Sequence, residues 1–171
     1  MVELVPQLRA FARSLCRDPS RADDLVQEAL VRALTNLVQF TPGTNLKAWL
    51  FTIVRNEYYT QLRRGRFEVR VDSEGSLPEP SVPPEHEGEL QLRDLNRALG
   101  QLSPDQREAL ILVTASGFSY AEAAHICGCA VGTIKSRVGR AREQLTRLLE
   151  GTASPESRDR SRREPPGTAP P

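Results

Sequence analysis

Cysteine is scarce in this chain of 171 residues: Cys16, Cys127 and Cys129 are all there is, which argues against a disulfide framework and for a reducing cytoplasm. No apolar run comes near the roughly 18 residues of a transmembrane helix, so a membrane span is excluded. The N-terminus, MVELVPQLRA, lacks the basic start and unbroken apolar core of a signal peptide. Sustained period-2 alternation is missing and β-branched runs are few, which leaves little basis for a sheet. There is no nucleophile–base set, phosphate-binding loop or ligand cluster, so the residues describe no enzyme and imply no cofactor. His125-x-Cys127-x-Cys129 places single candidates on either side of a tight turn with no second pair elsewhere; small residues packed at a corner explain both cysteines better than a metal does.

Net charge is also small, +1 from 23 Lys and Arg against 22 Asp and Glu, but the balance hides a partition. Residues 1–65 carry +3, 66–88 carry −4, 89–150 carry +1 and 151–171 carry +1. Within the third block the stretch 131–149 sets Lys135, Arg137, Arg140, Arg142 and Arg147 against Glu143 alone. Positive charge concentrated on one short segment is a candidate nucleic-acid footprint that the global balance conceals, although such a run is also what a solvated helix face looks like.

Apolar spacing predicts helices throughout. Val5, Leu8, Phe11, Ala12 and Leu15 recur at three and four, and Asp18-Pro19-Ser20 stops that helix, with Ser20 as cap of the next. Leu25, Ala29, Leu30, Ala33, Leu34 and Leu37 mark the second helix; Pro42-Gly43 makes a turn. A third helix starts near Asn45, with Leu46, Trp49, Leu50, Ile53 and Val54 on its buried side. Residues 66–88, with four prolines, two glycines and six acids, read as an extended acidic linker of roughly 75 Å maximum reach. Beyond it, Leu90, Leu92, Leu95, Ala98, Leu99 and Leu102 make a helix ending around Gly100. Ser103-Pro104-Asp105-Gln106 and Ser119-x-x-Glu122 are capping boxes, and the last helix runs from Val131 to about Glu150. Residues 151–171 are too polar and proline-rich to pack and read as a disordered tail. The fold class expected is all-α: two small helical domains, 1–65 and 89–150, joined by the 66–88 linker.

Two short helices joined at Gly128, the second strongly basic, fit a DNA-reading helix-turn-helix. Ala124 lets the helices touch, while Cys127, Ile134 and Val138 point inward and lock the crossing. The exposed ridge is then Thr133, Lys135, Ser136, Arg137 and Arg140. Lys or Arg can pair with the O6/N7 edge of guanine, and Thr133 and Ser136 suit phosphate oxygens. In the first module, Trp49, Phe51, Tyr58 and Tyr59 interleave with Arg55, Asn56, Arg63 and Arg64, a stacking platform beside a cationic track such as a single strand needs. Trp49 belongs to the core, and Phe51, Tyr58 and Tyr59 cannot all be buried at this spacing. The preceding loop, 38–45, is rich in hydrogen-bonding groups that could line a pocket for an extruded base. Asp23-Asp24-Leu25-Val26-Gln27-Glu28 is either a helix start favoured by its dipole or an acidic docking face.

Taken in order, ADDLVQEALVRAL, PGTNLKAWLFTIVRNEYY and LSPDQREALILVTASGFSYAEAAHICGCAVGTIKSRVGRAREQL resemble a group 4 (extracytoplasmic-function) sigma factor, of the EcfG-type general-stress group of alphaproteobacteria. The resemblance covers nearly all of residues 1–150. It implies a cytoplasmic bacterial initiation factor, with 1–65 as sigma region 2 and 89–150 as region 4. Asp23, Asp24, Val26, Gln27 and Glu28 would dock on core RNA polymerase at the β′ clamp, with the β subunit a further contact. Phe40, Thr44 and Asn45 of the loop, with Asn56, Tyr59, Arg63 and Arg64, would capture the unwound −10 strand. Thr133, Lys135, Ser136, Arg137 and Arg140 would read a GGAAC-like −35 element, and the linker would thread toward the active-site cleft. A NepR-like anti-sigma factor is an implied partner. Two departures from the pattern are the short basic run after the third helix and Gly139 on the reading helix. Two other readings stay open: a sigma-like interaction protein that captures an anti-sigma factor, as PhyR-type proteins do, and an ordinary helix-turn-helix regulator.

Overall fold

A computed structural model describes residues 2–65 and 87–152. They form seven α-helices: α1 (Val5–Cys16), α2 (Pro19–Thr35), α3 (Leu46–Arg63), α4 (Glu87–Gly100), α5 (Pro104–Thr114), α6 (Tyr120–Cys127) and α7 (Val131–Thr152). Short 3-10 turns cover Val2–Leu4 and Leu37–Gln39, and no strand occurs among the described residues. The all-α expectation holds. The 66–86 part of the expected linker and residues 153–171 of the expected tail lie outside the described residues, and α4 begins at Glu87, inside the stretch read as linker.

Local chemistry fixes where helices start and stop. Arg17 ends α1 in the left-handed region, at φ 59°, an unusual conformation for a side chain other than glycine. The cap of α2 is Asp18, not Ser20: its carboxylate accepts from the Arg21 amide, and Pro19 takes the first helical position where no N–H is needed. Asn45 caps α3 through the Ala48 amide. Both capping boxes form as read, Ser103 with Gln106 and Ser119 with Glu122.

Helices α1, α2 and α3 pack around Leu8, Phe11, Leu25, Val26, Ala29, Leu50, Phe51 and Val54. Two residues expected on the apolar stripe of the second helix are instead exposed: Leu34 of α2, because the buried stripe turns through Leu25, Val26, Ala29 and Ala33, and Leu37, which falls in the 3-10 turn beyond the helix. Helices α5, α6 and α7 close around Leu112, Ile126, Ile134 and Val138.

These two groups of residues belong to one continuous core. The Phe51 ring lies 4.9 Å from Phe11 on one side and 4.9 Å from Phe118 on the other, edge-on to the latter at 77°. The Lys47 ammonium sits 4.9 Å from the centre of Phe118 and donates to the Ser116 carbonyl at 2.5 Å. Phe51 and Tyr58 are therefore both buried and Tyr59 half-buried. As the spacing required, the three are not all buried: Phe118 of the second module covers Phe51, α1 meets Tyr58 through the Leu15 carbonyl, and Tyr59 keeps part of its surface in solvent.

Gly139 lies on the outer side of α7, and a Cβ there would meet nothing within 4 Å. Gly139→Ala should therefore stabilise the fold by about 0.5–1 kcal/mol through helix propensity alone. Thermal unfolding would register this as a small rise in midpoint; a fall would mean the outer face of α7 is packed against something.

Candidate nucleic-acid interface

The helix-turn-helix is built from α6 and α7. Gly128 ends α6 at φ 63° and ψ 39°, its amide donating back to the His125 carbonyl, and the chain re-enters helix at Val131. A side chain at that φ would be strained, so the corner depends on glycine. Ala124, Cys127, Ile134, Val138 and Ala141 are all buried between the two helices and their neighbours. Burial pushes the Cys127 thiol up to about 12, so it packs as a neutral apolar group. Among the described residues no group of three or more His, Cys, Asp and Glu could hold a metal ion.

With that face inward, Lys135, Ser136 and Arg140 are exposed on α7. Ser136 donates its hydroxyl to the Thr133 carbonyl at 2.9 Å, which leaves its oxygen lone pairs outward. Thr133 and Arg137 sit at the edge of the ridge and are half-buried. The guanidinium of Arg137 does not extend freely into solvent: Nη2 pairs with the Asp105 carboxylate of α5, and Nη1 lies 3.9 Å from Cys129 Sγ.

In the first module, Phe40 packs against Trp49 with ring centroids 5.3 Å apart, and the Thr44 hydroxyl donates to the Thr41 carbonyl. Asn56, Arg63 and Arg64 are exposed along α3 and its end. Two of the expected strand-binding residues are turned toward the second module. Asn45 donates from Nδ2 to Glu122 Oε1 at 2.7 Å, and Tyr59 donates its hydroxyl to Glu108 Oε2 at 3.4 Å. Glu108 also accepts from Arg55 Nε at 2.8 Å, and its side chain has no exposure to solvent. Burial raises the Glu108 carboxyl above its ordinary range, only partly opposed by Arg55. Burial by itself would lower Arg55, but the facing carboxylate more than offsets this. Residue spacing gave no indication of Glu108; the one available signal was an acid directly before the apolar run Ala109–Val113 of α5, which only the packed partner explains.

The acidic stretch of α2 divides. Asp24, Gln27 and Glu28 are exposed. Asp23 faces α1, with Arg9 Nε at 3.4 Å and Arg13 Nη2 at 3.9 Å. Glu28 accepts from Gln61 Nε2 at 2.6 Å. Val26 is a correction to the expected docking set: it is 2% exposed and part of the core, so it can shape that face only from beneath.

Two helical units share one core, and the second carries a helix-turn-helix whose basic outer ridge suits a nucleic acid. Comparison with known proteins gives this arrangement a family. Residues 1–68 match Sigma-70 region 2 and residues 92–145 match Sigma-70, region 4. The chain is 57% identical over 146 residues to the ECF RNA polymerase sigma factor EcfG of Rhodopseudomonas palustris, covering 85% of this chain and 80% of that protein. Among solved structures it resembles the sigma factor RpoE in complex with the anti-sigma factor NepR from Bartonella quintana, at 54% identity and TM-score 0.72, over 89% of this chain and 95% of that one. It also resembles CnrH in complex with the cytosolic domain of CnrY, at 28% identity and TM-score 0.66, over 89% and 86% of the two chains. The protein belongs to the extracytoplasmic-function RNA polymerase sigma factors, of the EcfG type, and a sigma factor directs promoter-specific initiation of transcription.

Proposed function

We propose that this sigma factor acts in the cytoplasm on stress-response promoters, docking on core RNA polymerase through Asp24, Gln27 and Glu28 of α2 and reading the −35 element with α7. The observation that carries the reading is the α6–α7 corner: a buried clamp of Ala124, Cys127, Ile134 and Val138 that leaves Lys135, Ser136 and Arg140 outward. A guanine edge takes Lys or Arg, and an exposed serine suits a phosphate. Region 2 would capture the unwound −10 strand through Phe40, Thr44, Asn45, Asn56, Tyr59, Arg63 and Arg64. Asn45 and Tyr59 hold carboxylates of the second module in this arrangement, so both must exchange partners before they touch a base. No ATP is needed for melting, since trapping extruded bases shifts the duplex equilibrium against a cost of about a few kcal/mol per base. The likeness to a sigma factor held by NepR supports a NepR-like anti-sigma factor as the regulator of this chain.

Run-off transcription with core RNA polymerase on a template bearing a GGAAC-type −35 element tests this. A transcript should require the protein, and Lys135→Ala should reduce it by about tenfold or more, in line with one good base contact. No transcript, from folded protein and core that is active with another sigma factor, would overturn the assignment on that promoter.

A further inference from the structure

Asp105 stands in the first turn of α5, outside every segment that the helix-turn-helix pattern marks for DNA contact, yet its carboxylate holds Arg137 of the reading helix. We propose that Asp105 is a specificity-determining positioning residue, which aims the Arg137 guanidinium at its base and keeps it off phosphates. The inference rests on the reading of α7 as the −35 helix.

Three features support it. First, the backbone that carries Asp105 is fixed, while its side chain is 52% exposed. The Ser103–Gln106 capping box anchors its turn, Pro104 stiffens the first helical position, and the positive end of α5 favours the charged carboxylate. Second, the ion pair distinguishes Arg137 from its neighbours. The Arg137 side chain is 23% exposed, whereas Lys135 and Arg140 are exposed residues. Third, the pair leaves binding capacity. A guanidinium has five N–H groups in a fixed fork, and the carboxylate engages it at Nη2, so N–H groups remain for a base edge. An arginine held this way loses less side-chain freedom when it meets guanine than a free one does. A carboxylate beside it also repels phosphate oxygens, which penalises placements in which Arg137 would grip the backbone of any sequence. Both effects widen the gap between the correct base and a wrong one.

The test uses holoenzyme and a set of run-off templates, each with a single −35 base replaced, for wild type, Arg137→Ala and Asp105→Asn. Arg137→Ala identifies the base that Arg137 reads, as the position where preference collapses. Asp105→Asn should then lower the preference at that same base by about tenfold, while preferences elsewhere in the element stay as in wild type. Binding to unrelated duplex DNA should rise with Asp105→Asn. Thermal unfolding confirms that the variant is folded; should it not be, Asp105→Glu, which keeps the charge but displaces it by one methylene, carries the same comparison. An unchanged preference in a folded Asp105 variant, alongside a collapse in Arg137→Ala, would overturn the inference and leave the reading of α7 intact. If Arg137→Ala itself changes no base preference, the reading of Arg137 fails and the inference fails with it.

Discussion

Replacing Arg55 with alanine is expected to cost about 3–5 kcal/mol, because it strands the Glu108 carboxylate without its cation at a site closed to water. Denaturant unfolding measures the loss. Arg55 belongs to α3 and Glu108 to α5, so the same substitution should also loosen the packing of one module on the other, visible as a larger radius in small-angle scattering. A cost under about 1 kcal/mol, as for an exposed pair, would mean that water reaches Glu108 in solution. The pair also has a pH signature. Burial raises the Glu108 carboxyl in the folded protein, so its contribution to stability is greatest at low pH and falls as pH climbs through that raised value. Glu108→Gln cannot ionise. Its stability relative to wild type should therefore improve as pH rises past the usual carboxylate range, and a flat difference would exclude Glu108 as the titrating group.

Phe51→Ala should be as severe, about 3–5 kcal/mol, since the ring is fully buried and fills space between Phe11 and Phe118. Phe118→Ala should cost less than Phe51→Ala, because Phe118 serves the seam between modules whereas Phe51 serves both the seam and the core of the first module. Equal losses would show that the seam dominates the stability of α3. A Phe51→Ala cost below about 1 kcal/mol would mean that the site collapses around the deletion or was never tightly filled.

The helices and most of their caps were legible because their determinants are local; the cap of α2 was placed at Ser20 instead of Asp18. Ser103 with Gln106, Ser119 with Glu122, and Gly128 act within one turn of chain, and each does in the structure what its spacing implies. The inward set was legible for the same reason: Cys127 ends α6 beside the corner, and Ile134 and Val138 lie four apart on one face of α7. Helix α3 was legible on one flank only, because it is covered on two. A single apolar stripe accounts for Leu50 and Val54 but not for Phe51 and Tyr58, whose cover comes from residues more than 40 positions away in the chain. Val26 entered the docking set with the family resemblance, and its burial follows from its place beside Leu25 and Ala29 on the inward face of α2. Asp105 and Glu108 were invisible as partners: each is an ordinary acid on a helix until α7 and α3 bring an arginine to it.

The aromatic contact between α3 and Phe118 gives the two modules a thermal character. Parting them would wet Phe51 and Phe118, and hydrating apolar surface carries a positive heat capacity. The equilibrium between joined and separated modules is then curved in temperature, with the joined form weakening toward the cold as well as toward the melting point. Any change of temperature that parts the modules would also release Asn45 from Glu122 and Tyr59 from Glu108, so wetting of the two rings and freeing of these two side chains are one transition.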